Sequence, residues 1–280
     1  MSFALRYASH LGYRSPEQPL FRHSVGSLDV FAHIDFAAEL GLAGVQDAWA
    51  MARPTDEQKK IGAALAKRGL EAGALIAVPT RERIRDTHWA TKGAWAAGDL
   101  AAPLDAAIAA AQRIGSRWVG LFSGALPGVP LALQQAAFID NLRFAADRAR
   151  KADVVLLLEN MSFKSIPHML LHHIGDAYLI ARAVDHAHVK LMFDTSHIQI
   201  MDGDLLANME AVWSEVALVQ IADNPGRLEP GSGEINFASV FRALKARGYR
   251  GLVELEHGWS EATAACETRG LERLRALDAA

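Results

Sequence analysis

Short apolar runs, each ending in an oxygen-bearing side chain, recur four times in the second half of this 280-residue chain: LLLEN at 156–160, KLMFDTSH at 190–197, LVQIADN at 218–224 and LVELEH at 252–257. Such runs are too short for helices and read as strands buried on both faces, the kind that parallel sheets use when helices cover them. Helix-like stretches near 175–186, 203–213, 237–247 and 260–277 alternate with them. The first half repeats the pattern, with strand-like segments at 3–8, 44–49, 70–78 and 118–122 and helical ones at 28–40, 55–69, 103–114 and 131–150. Gly41 and Gly69 stand where helices stop. Thr55 with Gln58 three residues on reads as a capping box, and Leu131, Phe138, Leu142, Ala145 and Ala149 have core-facing helical spacing.

Eight strand and helix pairs imply a parallel sheet, either closed into a barrel or open and doubly wound. The length fits a barrel, typically about 250 residues. No GxGxxG follows the first strand to seat a dinucleotide, and Gly231 and Gly233 in PGSGEIN lack the neighbouring Lys of a P-loop. The expected fold class is therefore α/β, a single (β/α)8 TIM barrel occupying residues 1–280. Two stretches, 9–27 and 79–102, are longer than most loops, and the second, with His88, Trp89 and Trp95, reads as a lid over the mouth.

Charge narrows the partners. With 29 basic and 32 acidic residues the net charge is −3, which provides no electrostatic footprint for nucleic acid or an anionic membrane, so the expected partner is a small molecule. Cys266 is the lone cysteine and reads as a packing residue, which suits a reducing compartment. The start MSFALRYASH lacks a signal-peptide core, and no apolar stretch approaches the roughly 18 residues of a membrane span, so a cytoplasmic protein is expected.

In a barrel, Glu159, Asp194, Gln220 and Glu256 come at the carboxyl ends of consecutive strands, where such folds place their chemistry. Each alone reads equally as a capped loop or a salt bridge. Together they make a cage: converging carboxylates repel unless a divalent cation, or a cluster of Arg or Lys, neutralises them. An all-oxygen set of ligands suits Mg2+ or Mn2+ better than zinc.

The segment VQIADNPGRLEPGSGEINFASVF at 219–241 closely resembles the hydroxypyruvate isomerase family of xylose isomerase-like barrels. The resemblance extends to a strand ending in Glu159, to Asp194-Thr195-Ser196-His197 with MDGDL shortly after, to a final strand carrying Glu256, and to NLRFAADRAR at 141–150. It implies metal binding by Glu159, Asp194, Gln220 and Glu256, proton transfer by Glu159 and Glu256, and a substrate contact from His197. Arg227, seven residues past Gln220, is expected to hold a substrate carboxylate as a bidentate pair, with Glu229 as an alternative partner, and His88 to line the mouth. The implied reaction isomerises hydroxypyruvate to tartronate semialdehyde, or a 2-oxo-tetronate, through an enediolate, in a protein that forms a dimer or tetramer.

Other features depart from that pattern. Lys164, His168, His172 and His173 follow Glu159, and Tyr13, Arg14, Arg22 and His23 crowd the first loop; these residues would serve a larger acid, solvate the rim or form an oligomer contact. A ketose 3-epimerase would use the same glutamates, but that subgroup resembles this chain less, having His where Gln220 stands. Endonuclease IV would need a histidine-rich cage and a basic face. A non-catalytic sugar-acid binding barrel would gain nothing from a converging pair of glutamates.

Overall fold

Eight parallel strands form a ring in the computed structural model, which describes residues 3–280. They are β1 (Arg6–His10), β2 (Gly44–Gln46), β3 in two pieces (Glu71–Ala72 and Leu75–Ile76), β4 (Trp118–Leu121), β5 (Val155–Leu158), β6 (Val189–Asp194), β7 (Val216–Gln220) and β8 (Leu252–Glu254). Neighbours in sequence are neighbours in the sheet, and β8 returns to β1 through Ala8 opposite Glu254. The eight principal helices pack outside: α1 (Val30–Glu39), α2 (Thr55–Arg68), α3 (Ala101–Ile114), α4 (Leu131–Lys151), α5 (Ile174–Val184), α6 (Leu205–Val212), α7 (Phe237–Ala246) and α8 (Ala264–Ala279). This is the expected (β/α)8 barrel.

The ring closes at β3 in an unusual way. Its first piece pairs with β2 and its second with β4, so the strand changes partners across Gly73 and Ala74. The backbone groups freed at the break are taken up by side chains. Ala74 donates its N–H to Glu254 at 2.6 Å, and the Ser116 hydroxyl donates to the Gly73 carbonyl at 2.7 Å. Gly73 has no room for a side chain, since a Cβ there would stand 2.3 Å from the Glu254 carboxylate.

Alternation along the strands sorts the interior. Ala8, Ala74, Val155, Leu157, Met192, Leu218 and Leu252 pack together as one apolar cluster inside the ring. Two residues further along the same faces come His10, Glu159, Asp194, Gln220 and Glu254, with Glu256 two beyond that. The barrel therefore has an apolar floor and a polar upper layer, all built by one two-residue period. The helices bury their other stripe against the outer faces, as α7 does with Phe237, Val240, Phe241 and Leu244.

Several local expectations need correction. Thr55 is the first residue of α2 and makes no cap, while Gln58 turns inward and donates to the carbonyls of Ala50 and Arg53 at 2.7 and 3.1 Å. Burial of its amide satisfies loop carbonyls that lie closer than the helix start. Leu131 is exposed, although Phe138, Leu142, Ala145 and Ala149 are buried as expected, because the first turn of α4 turns Gln134 inward instead, to bond Leu126 and Val129 of the preceding loop. The stretch 79–102 is no free lid. Asn141 on α4 donates to the carbonyls of Trp89 and Thr91 at 2.7 and 2.9 Å, and Trp95 stacks on Phe144.

Candidate active site

The polar upper layer opens into a cavity of about 490 Å3, whose lining includes Tyr13, Arg14, Arg81, Ser162, His197 and Arg227. At its base Glu159, Asp194, Gln220 and Glu256 converge, and all are buried. One ligand atom from each of Glu159, Asp194 and His197 falls within a 4.8 Å spread, compact enough to surround a metal ion.

Each side chain is fixed by the element that carries it. Asp194 ends β6 and caps the short helix Thr195–Met201, accepting the His197 N–H at 2.9 Å. That helix begins directly at the strand end and so aims His197 back over the site. Its Nδ1 is 3.1 Å from the Ser162 hydroxyl, and its Nε2 lies 3.5 Å from Glu159 Oε1. Burial drives the His197 pKa down to about 3 against the opposing pull of Asp194, leaving a neutral imidazole.

Gln220 is oriented by two acceptors. Its Nε2 donates to Glu254 at 2.7 Å and to Glu256 at 3.0 Å, so its amide oxygen has no protein partner. Gln46 donates to the same Glu256 oxygen at 2.9 Å. Glu254 lies below this pair, and its carboxyl is pushed up to about 8 by burial, in spite of the bonds from Gln220 and Ala74. Neither Glu254 nor Gln46 is apparent as a site residue in the sequence. The signal was available for Glu254, because it precedes Glu256 by two residues and a strand turns both to one face.

Arg227 stands differently from its expected role. It rides at φ 55° in the loop after β7, a left-handed conformation, and sends its guanidinium into the cage. There it forms the expected bidentate pair, but with Asp194, at 3.2 and 2.7 Å, and a further ion pair with Glu256. The Tyr13 ring lies beneath it. Glu229 is not its partner; it instead accepts from the Ser260 N–H and hydroxyl at 2.8 and 2.7 Å. Cys266, buried as expected, lies beside that contact.

Electrostatics follow from this placement. Burial raises the Glu159 carboxyl well above the usual range, helped by the charges of Asp194 and Glu256. Glu256 is raised by burial, against the pull of Arg227. Burial also works on Asp194, but the charge and bonds of Arg227 outweigh it and hold that carboxyl low. One guanidinium thus faces the carboxylates Glu159, Asp194, Glu254 and Glu256, while Glu159 Oε1 and the Gln220 oxygen have no hydrogen-bond partner. Surplus negative charge and unpartnered oxygens are what a divalent cation would satisfy.

Of the other residues singled out in the sequence, His88 does not reach the cavity. It is exposed and borders a separate cleft with Met51 and Leu104, whereas Arg81 of the same stretch lines the cavity. His172 and His173 are tied to Met161 and Asp202, at 2.6 and 2.8 Å. Among the described residues no helix is long and apolar enough to cross a membrane.

Residues 34–277 match the family described as xylose isomerase-like TIM barrel. A putative hydroxypyruvate isomerase of Homo sapiens is 31% identical over 265 residues, covering 90% of this chain and 89% of the relative. Hydroxypyruvate isomerase of Escherichia coli (strain K12) is 29% identical over 245 residues, covering 83% and 89%. A crystal structure from Brucella melitensis, described as AP endonuclease, family 2, superposes with a TM-score of 0.74 at 26% identity, covering 94% of this chain and 96% of that one. With its eight-stranded ring and strand-end carboxylates, the chain belongs to the xylose isomerase-like TIM barrel family, among the hydroxypyruvate isomerase-like isomerases.

Proposed function

We propose that the protein is a metal-dependent isomerase of a small 2-oxo acid, converting hydroxypyruvate to tartronate semialdehyde or acting on a 2-oxo-tetronate. The observation that carries this reading is the pair of buried glutamates, Glu159 and Glu256, set around Asp194, the first sharing a compact group with Asp194 and His197 and the second sharing Arg227 with Asp194. Isomerisation requires just such a pair. A proton leaves C3, a proton arrives at C2, and the C3 hydroxyl proton passes to the C2 oxygen, leaving an aldehyde at C3.

One glutamate removes the C3 proton and the other delivers the proton to C2, by way of an enediolate. His197, neutral and held by Ser162, is positioned to hydrogen-bond a substrate oxygen. Arg227 keeps Asp194 charged and holds both Asp194 and Glu256 in place. Glu159, Asp194 and His197 form the compact group for a divalent cation such as Mg2+ or Mn2+, and the unpartnered Gln220 oxygen and Glu256, now paired with Arg227, would complete its ligands. Such a cation, when bound, supplies charge that stabilises the enediolate by several kcal/mol.

The test is turnover of hydroxypyruvate by the purified protein with Mg2+ or Mn2+, before and after chelation. The expected result is activity that chelation abolishes and metal restores. Glu159→Gln and Glu256→Gln should each lower kcat by about 10²-fold or more with metal still bound. Full turnover by either variant would remove that glutamate from the proton path. Turnover of a ketose with no turnover of any 2-oxo acid would favour an epimerase.

A further inference from the structure

We propose that Arg81 is the residue that recognises the substrate's carboxylate, and so selects an acid over a neutral ketose. The inference rests on the isomerase reading above and assigns a specificity role within it. Three observations lead there.

First, the arginine that the sequence suggests for this work is already engaged. Both terminal nitrogens of Arg227 are engaged by carboxylates of the protein, Asp194 and Glu256. A substrate carboxylate placed on it would have to compete with both. Second, Arg81 lines the same cavity as His197 and Arg227, yet its hydrogen bonds go only to the Ser165 carbonyl and hydroxyl, each at 3.0 Å and both from Nη2. No carboxylate among the described residues pairs with it. Nη1 and Nε are left for a ligand, and Ser165 fixes the plane in which they lie. A planar fork held on one side suits an incoming carboxylate.

Third, the surroundings of Arg81 favour an anion. The side chain is half-buried, and its pKa is lowered by desolvation and by the neighbouring positive charge of Arg227. Arg14, stacked on Tyr13, and Lys164 border the same cavity without ion-pair partners among the described residues. An acid entering this cavity meets a carboxylate-rich base and a cationic rim. The reacting carbons are drawn to the base, and the carboxylate is left at the rim, where Arg81 is the inner and better-held cation.

The test compares hydroxypyruvate with dihydroxyacetone, a neutral analogue in which a CH2OH group replaces the carboxylate, in wild type, Arg81→Met and Arg81→Lys. Glycerate and glycerol binding are measured by calorimetry alongside. For Arg81→Met the expected result is a loss of about 10- to 100-fold in kcat/KM for hydroxypyruvate, carried by KM, with dihydroxyacetone turnover unchanged. Glycerate should bind the wild type more tightly than Arg81→Met by the same factor, glycerol should not distinguish them, and Arg81→Lys should recover part of the loss. Equal losses on both substrates, or unchanged glycerate affinity, would overturn the assignment. If the wild type turns over neither substrate, the isomerase reading fails on its own, and glycerate affinity still decides whether Arg81 holds a carboxylate.

Discussion

Glu254 ends β8 and Glu256 follows two residues beyond it, and the amide of Gln220 bridges them with a single nitrogen. With both carboxyls accepting from that nitrogen, the amide oxygen is left without a protein partner. Replacing Glu254 by Gln breaks this logic. The new amide must face two donors, Ala74 N–H and Gln220, with one oxygen, so Gln220 is expected to rotate and surrender its free oxygen. On the proposed ligand set, Glu254→Gln should weaken Mn2+ binding by about 10- to 100-fold, read by titration of the metal-free protein. Unchanged Mn2+ affinity would remove Glu254 from the positioning of Gln220. At this scale the sequence displays Glu159, Asp194, Gln220 and Glu256, because each ends an apolar run. It conceals the partner of Arg227 and the inward turn of Arg81, because both depend on loop backbone conformations that no periodicity encodes.

The loop after β7 shows how an element is held without regular structure. Asp223 accepts four backbone N–H groups, from Asn224, Gly231, Gly233 and Ile235, at 2.8 to 3.0 Å. It is the hub around which the segment carrying Arg227 is wound. Gly233 is required there, since a Cβ would stand 2.0 Å from the Asn224 carbonyl. Asp223→Ala leaves the buried donors of Asn224 and Ile235 without their acceptor, and frees those of the exposed Gly231 and Gly233, so unfolding free energy should fall by about 2 kcal/mol or more in urea titrations. A loss below 1 kcal/mol would show that the loop is held by other contacts. Strands and helices were legible as periodic segments, with ends displaced by a few residues. The stretch 79–102 was less legible, because its anchor on Asn141 and Phe144 is a tertiary contact between segments far apart in sequence.

Over the whole molecule, acid should be the condition the fold tolerates least. His10 is buried with its Nε2 toward the His257 carbonyl and its Nδ1 accepting the Gly12 N–H, and burial lowers its pKa to about 3. The unfolded chain protonates this residue near pH 6.5, and the folded chain only near 3. Its contribution is therefore complete above pH 6.5 and is lost as pH falls toward 3, at up to about 1.4 kcal/mol per pH unit. Urea titrations from pH 7 to 5 should show His10→Gln losing stability less steeply than the wild type by about that slope. Parallel slopes would mean that His10 titrates normally. The barrel itself was evident from the eightfold alternation, whereas its closure at β3 was not, since the partner change at Gly73 and Ala74 depends on a carboxylate three strands away around the ring. That closure also bears on how copies of the chain meet. Two short strand pieces with open backbone groups would template pairing with another molecule and start aggregation. Here Glu254 and Ser116 occupy those groups from within, so the break in β3 presents no free edge for a neighbouring chain to extend.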